Sequence, residues 1–211
     1  MNDEVKLDDN FKIRPFERED FDEVSRLLTG AFFDKIGSLL DLDDPDVAGV
    51  MAETGFFYRK PVNGYLVVEV RERIAGVILL KFNGQNRESD DFRLLPVFMR
   101  YGLIKALKFA IGALLLEEST KPGECYIEYI ATDSDFRGLG IGSALIDYAE
   151  YFAAEADLSW LSLCVSPSNR AINLYLRQGF IQKKEIKSLL TYLFFGLDKW
   201  IYMVKPIGKI L

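Results

Sequence analysis

The chain of 211 residues has no histidine, and it has only two cysteines. Without histidine there is no Ser-His-Asp or Cys-His nucleophilic arrangement, and the commonest zinc ligand is missing. A general base must then be a carboxylate, a tyrosine, a lysine or water, and no metal is expected. Cys125 and Cys164 lie in apolar strand-like runs without metal-ligand spacing. Both therefore read as reduced, buried thiols, which suits a cytoplasmic setting. Positive charge is also short. Asp and Glu outnumber Lys and Arg by 32 to 26, giving a net charge of −6, whereas a nucleic-acid partner would call for a basic face. A long uninterrupted apolar run is missing too. The most apolar stretch, 94–116, is broken by Arg100, Lys105 and Lys108, so it reads as a buried or partner-facing helix pair and no membrane partner is expected. The opening "MNDEVKLDDNFK" is polar and acidic and does not read as a signal peptide.

What is present is ordinary for a globular protein: 49% apolar and 27% charged residues, enough for a proper core. With no repeat and no dividing linker, residues 1–211 read as one domain. "FKIRPF" is a short strand. "REDFDEVSRLL" is a helix with Asp20 as N-cap and Glu23 three residues on, a capping-box spacing. A second helical piece is expected over 45–57. "GYLVVEVRERIAGVILLKF" reads as two antiparallel strands, 65–70 and 74–82, around a charged turn. Residues 86–120 form an insertion, a polar loop and then a helix opened by Pro96 and loosened by Gly102 and Gly112. "ECYIEYIAT" resumes as a strand, followed by a glycine loop and a helix to about residue 156. "LSWLSLCV" is a strand, "SNRAINLYLRQ" a helix closed by Gly179, and "FIQKKEI" and "KWIYMVKPI" are further strands. The expected fold is α/β (α+β): a mixed, mostly antiparallel sheet of six to seven strands flanked by helices, with a helical insertion between the third and fourth strands. The segment 34–53 is acidic, which is either a solvated face or a surface that meets a cationic substrate.

Within "DFRGLGIGSAL", Gly138, Gly140 and Gly142 stand at every second position between a strand and a helix. Helix N-termini carry free N–H groups and partial positive charge, and bare glycines let an anion approach. The same spacing also serves a tight strand-to-helix turn with no ligand. A P-loop is excluded because no lysine precedes Ser143. A dinucleotide fingerprint fits poorly because Ser143 occupies its third glycine position and no acidic residue ends a strand about twenty residues on, and a dinucleotide-binding protein, which would bind NAD more tightly than coenzyme A, stays as the structural alternative.

The segment resembles the Gcn5-related N-acetyltransferase (GNAT) superfamily, whose signature Arg/Gln-x-x-Gly-x-Gly/Ala is filled by Arg137, Gly140 and Gly142. "SNRAINLYLRQGF" resembles the second block of that family through Asn169, Tyr175, Gly179 and Phe180, and the close match spans 126–180. The resemblance implies transfer of an acetyl group from acetyl-CoA to a primary amine, with coenzyme A as cosubstrate. It implies that the amides of Arg137, Gly138, Leu139, Gly140, Ile141, Gly142 and Ser143 bind the pyrophosphate. It also implies that the preceding strand splays from its neighbour, where Ile130, Ala131 and Thr132 meet the pantetheine arm and the Ile130 N–H polarises the carbonyl. Strand alternation sets Tyr126, Glu128, Ile130 and Thr132 on one face.

Glu128 is the candidate base, through an expected burial that would raise its pKa, or else the partner of an Arg or Lys. Some family members carry the base where this chain has Tyr126, and others carry an acid or histidine at the position of Cys164. Tyr175 is the candidate acid for the departing thiolate, or an aromatic core contact. Asn169 contacts the cofactor or merely opens its helix. A small cationic amine is the first-choice acceptor. A protein N-terminus is the alternative, and a non-catalytic coenzyme A sensor is the rival from another class. The insertion would roof the acceptor site or form a homodimer contact.

Overall fold

A computed structural model describes residues 5–8, 11–32, 39–40, 47–85, 92–116, 119–196 and 199–208. Residues 34–38 and 41–46 of the acidic segment 34–53, expected either as a solvated face or as a surface that meets a cationic substrate, lie outside the described residues, as does the stretch 86–91 of the polar loop.

The strands are β1 Val5–Asp8, β2 Phe11–Pro15, β3 Tyr65–Val70, β4 Arg73–Phe82, β5 Glu124–Thr132, β6 Trp160–Val165, β7 Ile181–Lys187 and β8 Lys199–Pro206. They form one sheet in the order β1-β2-β3-β4-β5-β6-β8-β7, antiparallel except for the β5–β6 pair. The described residues thus hold eight strands, and the one beyond expectation is β1. The helices are α1 Phe21–Ala31, α2 Val47–Thr54, α3 Leu95–Leu115, α4 Ile141–Glu155, α5 Ile172–Arg177 and α6 Leu189–Phe195. Only α6 lacks a counterpart in the sequence reading. The β3–β4 hairpin closes through Arg71 and Glu72, both at positive φ (50° and 63°), the backbone a two-residue turn needs to match strand twist.

The sheet separates two cores by simple alternation along β4. Val77 and Leu79 face α1, α2 and α3, while Ile78 and Leu80 face α4 and α5. Burial of these branched side chains on both faces accounts for the near-continuous apolar run of β4.

The expected capping box at α1 is not formed. Asp20 makes no side-chain cap on α1. Its carboxylate instead accepts from the two terminal guanidinium nitrogens of Arg14, at 2.7 and 2.8 Å, and from the Glu17 N–H at 2.8 Å. Glu23 reaches away from its own helix to accept the Ile74 N–H at 2.9 Å. The ion pair to Arg14, a capping box with Glu17 on the preceding turn Arg18–Asp20 and the strand-end donor of Ile74 take the groups that the expected cap would use. The insertion helix α3 starts with Pro in its first turn and breaks at Gly102 (φ 82°, ψ 176°). Cys125 is buried, with its thiol pushed up to about 12 by burial, and Cys164, expected to be buried, is only half-buried.

Candidate active site

β4 and β5 pair from Phe82↔Cys125 to Gly76↔Thr132, with one irregularity: Leu79 faces Tyr129 and Leu80 faces Ile127. Glu128 is the extra residue of a β-bulge, and the bulge turns over the alternation. Cys125 and Ile127 face the α4 core before it, Tyr129 and Ala131 face the opposite core after it, and Ile130 packs toward α4. The expectation that Tyr126, Glu128, Ile130 and Thr132 share one face therefore fails; Tyr126 lies on the other side from Ile130 and Thr132. The expected burial of Glu128 fails as well, since its side chain is exposed.

On its other edge β5 pairs with β6 only over Glu124↔Trp160, Cys125↔Leu161 and Tyr126↔Ser162. Beyond Tyr126 the two strands part, while β6 continues on β8 to Val165↔Ile201. The result is a wedge open in the sheet plane. The Asp133 N–H donates to Ala75 O at 2.9 Å, on the β4 side. Successive N–H groups of a strand point to opposite edges, so Tyr129 and Ala131 also donate toward β4, whereas Ile130 and Thr132 present N–H and C=O to the wedge.

Past Thr132 the chain makes a tight turn, with Asp133 Oδ1 accepting the Asp135 N–H at 2.9 Å, and it leaves that turn extended at Arg137. The Arg137 N–H donates to Ser134 O at 3.4 Å, and its side chain is exposed. Gly138 (φ 85°) and Gly140 (φ 80°) adopt the left-handed backbone that favours glycine, and a Cβ on either would meet nothing within 4 Å. Both are thus demanded by backbone conformation and look onto open space. Gly140 caps α4 without a side-chain bond, and Ala144 is the first residue to donate back, to Gly140 O at 3.0 Å. No backbone acceptor among the described residues meets the amides of 138–143. Six donors at the positive end of a fifteen-residue helix form a site suited to an anion. Leu139 is exposed beside them and Ser143 half-buried.

Gly142 has a different task. A Cβ there would stand 3.0 Å from Leu174 Cδ2 and 3.8 Å from Thr132 Oγ1. The missing side chain lets the first turn of α4 sit between the end of β5 and the helix that carries Tyr175. Tyr175 is buried against Phe180, ring centroids 5.9 Å apart, and burial pushes its phenol up to about 12. Asn169 Oδ1 accepts the Ala171 N–H at 2.9 Å, so that oxygen opens the α5 turn and the exposed amide nitrogen remains for other contacts.

Sequence reasoning missed several residues that shape the wedge. Gly76 approaches α4 so closely that a Cβ would lie 2.7 Å from Ile141 Cγ2; an isolated glycine inside a strand is the signal that marks such an approach. At the closed end of the wedge, Glu124 is buried and accepts Ser162 Oγ–H at 2.6 Å, Tyr202 O–H at 2.5 Å and the Lys121 N–H at 2.7 Å. Burial pushes its carboxyl up, but the three donors outweigh that and hold it below its ordinary value. Tyr202 is raised to about 12 by burial and by this carboxylate. A separate open cavity of about 330 Å³ lies between α1 and the start of β4, lined by Glu23, Arg26, Leu27, Arg73, Ile74 and Asp133. It holds none of the sequence-predicted site residues.

A mixed sheet parted beside a glycine-led helix is the architecture of an acyl-CoA-dependent acyltransferase. The model of the acetyltransferase (GNAT) family matches residues 31–180, and the chain belongs to that family. It is 38% identical over 82 residues to an uncharacterized N-acetyltransferase of Methanocaldococcus jannaschii, a match spanning 38% of this chain but only 31% of that relative. Among solved structures it resembles Ard1 from Thermoplasma volcanium (TM-score 0.57, 16% identity, 95% of this chain and 99% of that one). It also resembles the ribosomal-protein-S18-alanine N-acetyltransferase of Escherichia coli (TM-score 0.52, 16% identity, 95% and 98%).

Proposed function

We propose that residues 1–211 form one acetyltransferase domain that moves an acetyl group from acetyl-CoA to a primary amine, with a small cationic amine as the acceptor. One observation carries this reading: the wedge beyond Tyr126↔Ser162 and the unpaired amides of 138–143 lie at the two ends of the same short connection. The cradle passes a simple test of fit, because the two glycines that need positive φ leave open space where a side chain would block a diphosphate.

The amides of 138–143 would hold the pyrophosphate, and the wedge-facing backbone of Ile130 and Thr132, with Ala131 between them, would line the pantetheine arm. The thioester of the cosubstrate supplies an activated acyl group. The Ile130 N–H, directed into the wedge, is oriented to polarise that acyl oxygen. An alkylamine has a pKa of about 10.4 and arrives mostly protonated. Glu128, exposed at the bulge, is the carboxylate assigned to take that proton, directly or through water. Tyr175 keeps its proton across the working range, since a phenol at about 12 ionises far above neutrality. It therefore serves as a hydrogen-bond donor to the departing sulfur. Fixed orientation of thioester and amine supplies much of the remaining acceleration.

The test is thiol release on mixing the protein with acetyl-CoA and a panel of polyamines, aminoglycosides, amino acids and short peptides. Release with small cationic amines is the expected result. Release only with peptides bearing a free N-terminus would assign the domain to the protein N-terminal reading. Tight binding without release for any acceptor would assign it to the sensor reading.

A further inference from the structure

Two arms of the sheet meet at the wedge. Strands β1 to β5 form one, and β6, β8 and β7 form the other. Among the described residues their backbones join over three residue pairs, from Glu124↔Trp160 to Tyr126↔Ser162. On one face α4 bridges the arms by packing on β4, β5 and β6. On the opposite face a carboxylate bridges them. Cys125, Leu161, Leu163, Ile201 and Met203 face α4, so their strand neighbours Glu124, Ser162 and Tyr202 project from the other side.

Glu124 opens β5 and is buried. Its Oε1 accepts both the Ser162 hydroxyl of β6 and the Tyr202 hydroxyl of β8. Its Oε2 accepts the Lys121 N–H of the turn that leads into β5. The Lys121 ammonium stands 4.9 Å from the Tyr202 ring centroid and holds that ring in place. A buried carboxylate is costly unless its lone pairs are taken, and here three donors take them. One oxygen thus ties three strands at the depth where the backbone pairing stops.

The apex fixed by this tie lies behind the acyl group of the proposed reaction. Ile127, Glu128 and Tyr129 alone separate Tyr126 from Ile130, whose N–H is directed at the acyl oxygen. Carbons that continue along the wedge beyond the carbonyl run toward strands about 4.8 Å apart. Buried Ile127 and Leu163 close the α4 side of that gap. Two paired backbones leave no room for a methylene chain between them. We propose that Glu124 is a positioning residue: it holds the apex of the wedge closed and restricts the acyl group to short chains such as acetyl. The inference rests on the proposed seat of the acyl carrier in the wedge.

Calorimetric titration with coenzyme A and with its acetyl and hexanoyl thioesters tests it without an acceptor. The native chain is expected to bind the hexanoyl thioester about tenfold more weakly than the acetyl one. Tyr202→Phe keeps the ring but removes the tie to β8, and Glu124→Gln weakens all three bonds. Each is expected to narrow the ratio to about threefold or less, the scale of one hydrogen bond. Glu150→Gln breaks the ion pair to Lys205 between α4 and β8, away from the apex, and is expected to leave the ratio unchanged. Loss of stability alone would move all the affinities together and leave their ratio where it was. Equal affinities in the native chain overturn the proposal. So does a ratio that both apex variants leave intact, or one that Glu150→Gln shifts as much as they do. A native chain that binds neither coenzyme A nor either thioester overturns the proposed function itself, and this inference with it.

Discussion

Gly142 and Leu174 meet across the joint between the two helices of the site: a Cβ on the glycine would stand 3.0 Å from Leu174 Cδ2. Leu174 is the residue before Tyr175, so the bare Cα of the last glycine fixes the helix of the candidate acid, while its N–H stays with the anion cradle. The loop thus divides its labour. Gly138 and Gly140 shape the backbone and leave room above it, and Gly142 sets the spacing to α5.

That division predicts two different failures. Gly140→Ala forces a side chain onto a left-handed backbone, at about 1–2 kcal/mol, and weakens acetyl-CoA binding. Gly142→Ala leaves binding within a few-fold, but displaces Leu174 and lowers kcat. Calorimetric Kd beside steady-state kcat separates the two, and equal effects of both substitutions on Kd would refute the division.

Tyr175→Phe removes the donor to the departing sulfur and is expected to lower kcat by about 10²-fold with acetyl-CoA affinity preserved. Because burial raises the phenol to about 12, its ionisation should contribute no basic limb to the pH–kcat profile below about pH 11. A limb near pH 9 that disappears in Tyr175→Phe would contradict the assignment.

Glu128→Gln should depress kcat/KM most on the acid side, where the amine is hardest to deprotonate, and the loss should shrink as pH approaches the amine value of about 10.4. The pH profile of the variant against the native chain is the measurement. A pH-independent ratio would give Glu128 no part in proton removal.

Glu124→Gln tests the closed end of the wedge. Three donors hold the carboxyl below its ordinary value of 4.5 against the opposing effect of burial. A lowered acid stabilises the fold above its unfolded value and loses that contribution as pH falls through the folded value. The native chain should exceed the variant in stability by about 1–2 kcal/mol at neutral pH, and the gap should narrow as pH falls below the ordinary value of 4.5 and through the lowered folded one. Urea unfolding across that range reads it directly.

The glycine loop, the β3–β4 hairpin and α4 were legible in the sequence because each rests on local chemistry: positive φ, a two-residue turn, a repeating apolar face. The bulge at Glu128 was not, since its register is set by β4, some fifty residues earlier in the chain. Glu124 finds Ser162 and Tyr202 at sequence separations of 38 and 78, which no spacing rule reveals. The apolar run of α3 was visible as a buried or partner-facing helix pair. Which side turns inward was not, because Ala106, Phe109 and Gly112 fill the inward side only once α6 and Leu39 are in place.

The account rests on the amides of 138–143 holding the diphosphate of coenzyme A. Titrating the isotopically labelled protein with coenzyme A while following those amide resonances tests this most directly. Large shifts and slowed hydrogen exchange at Gly138, Gly140 and Ser143, with acetyl-CoA behaving alike, are the predicted result. Unchanged loop amides in a protein saturated with coenzyme A, or no binding at all, would contradict it.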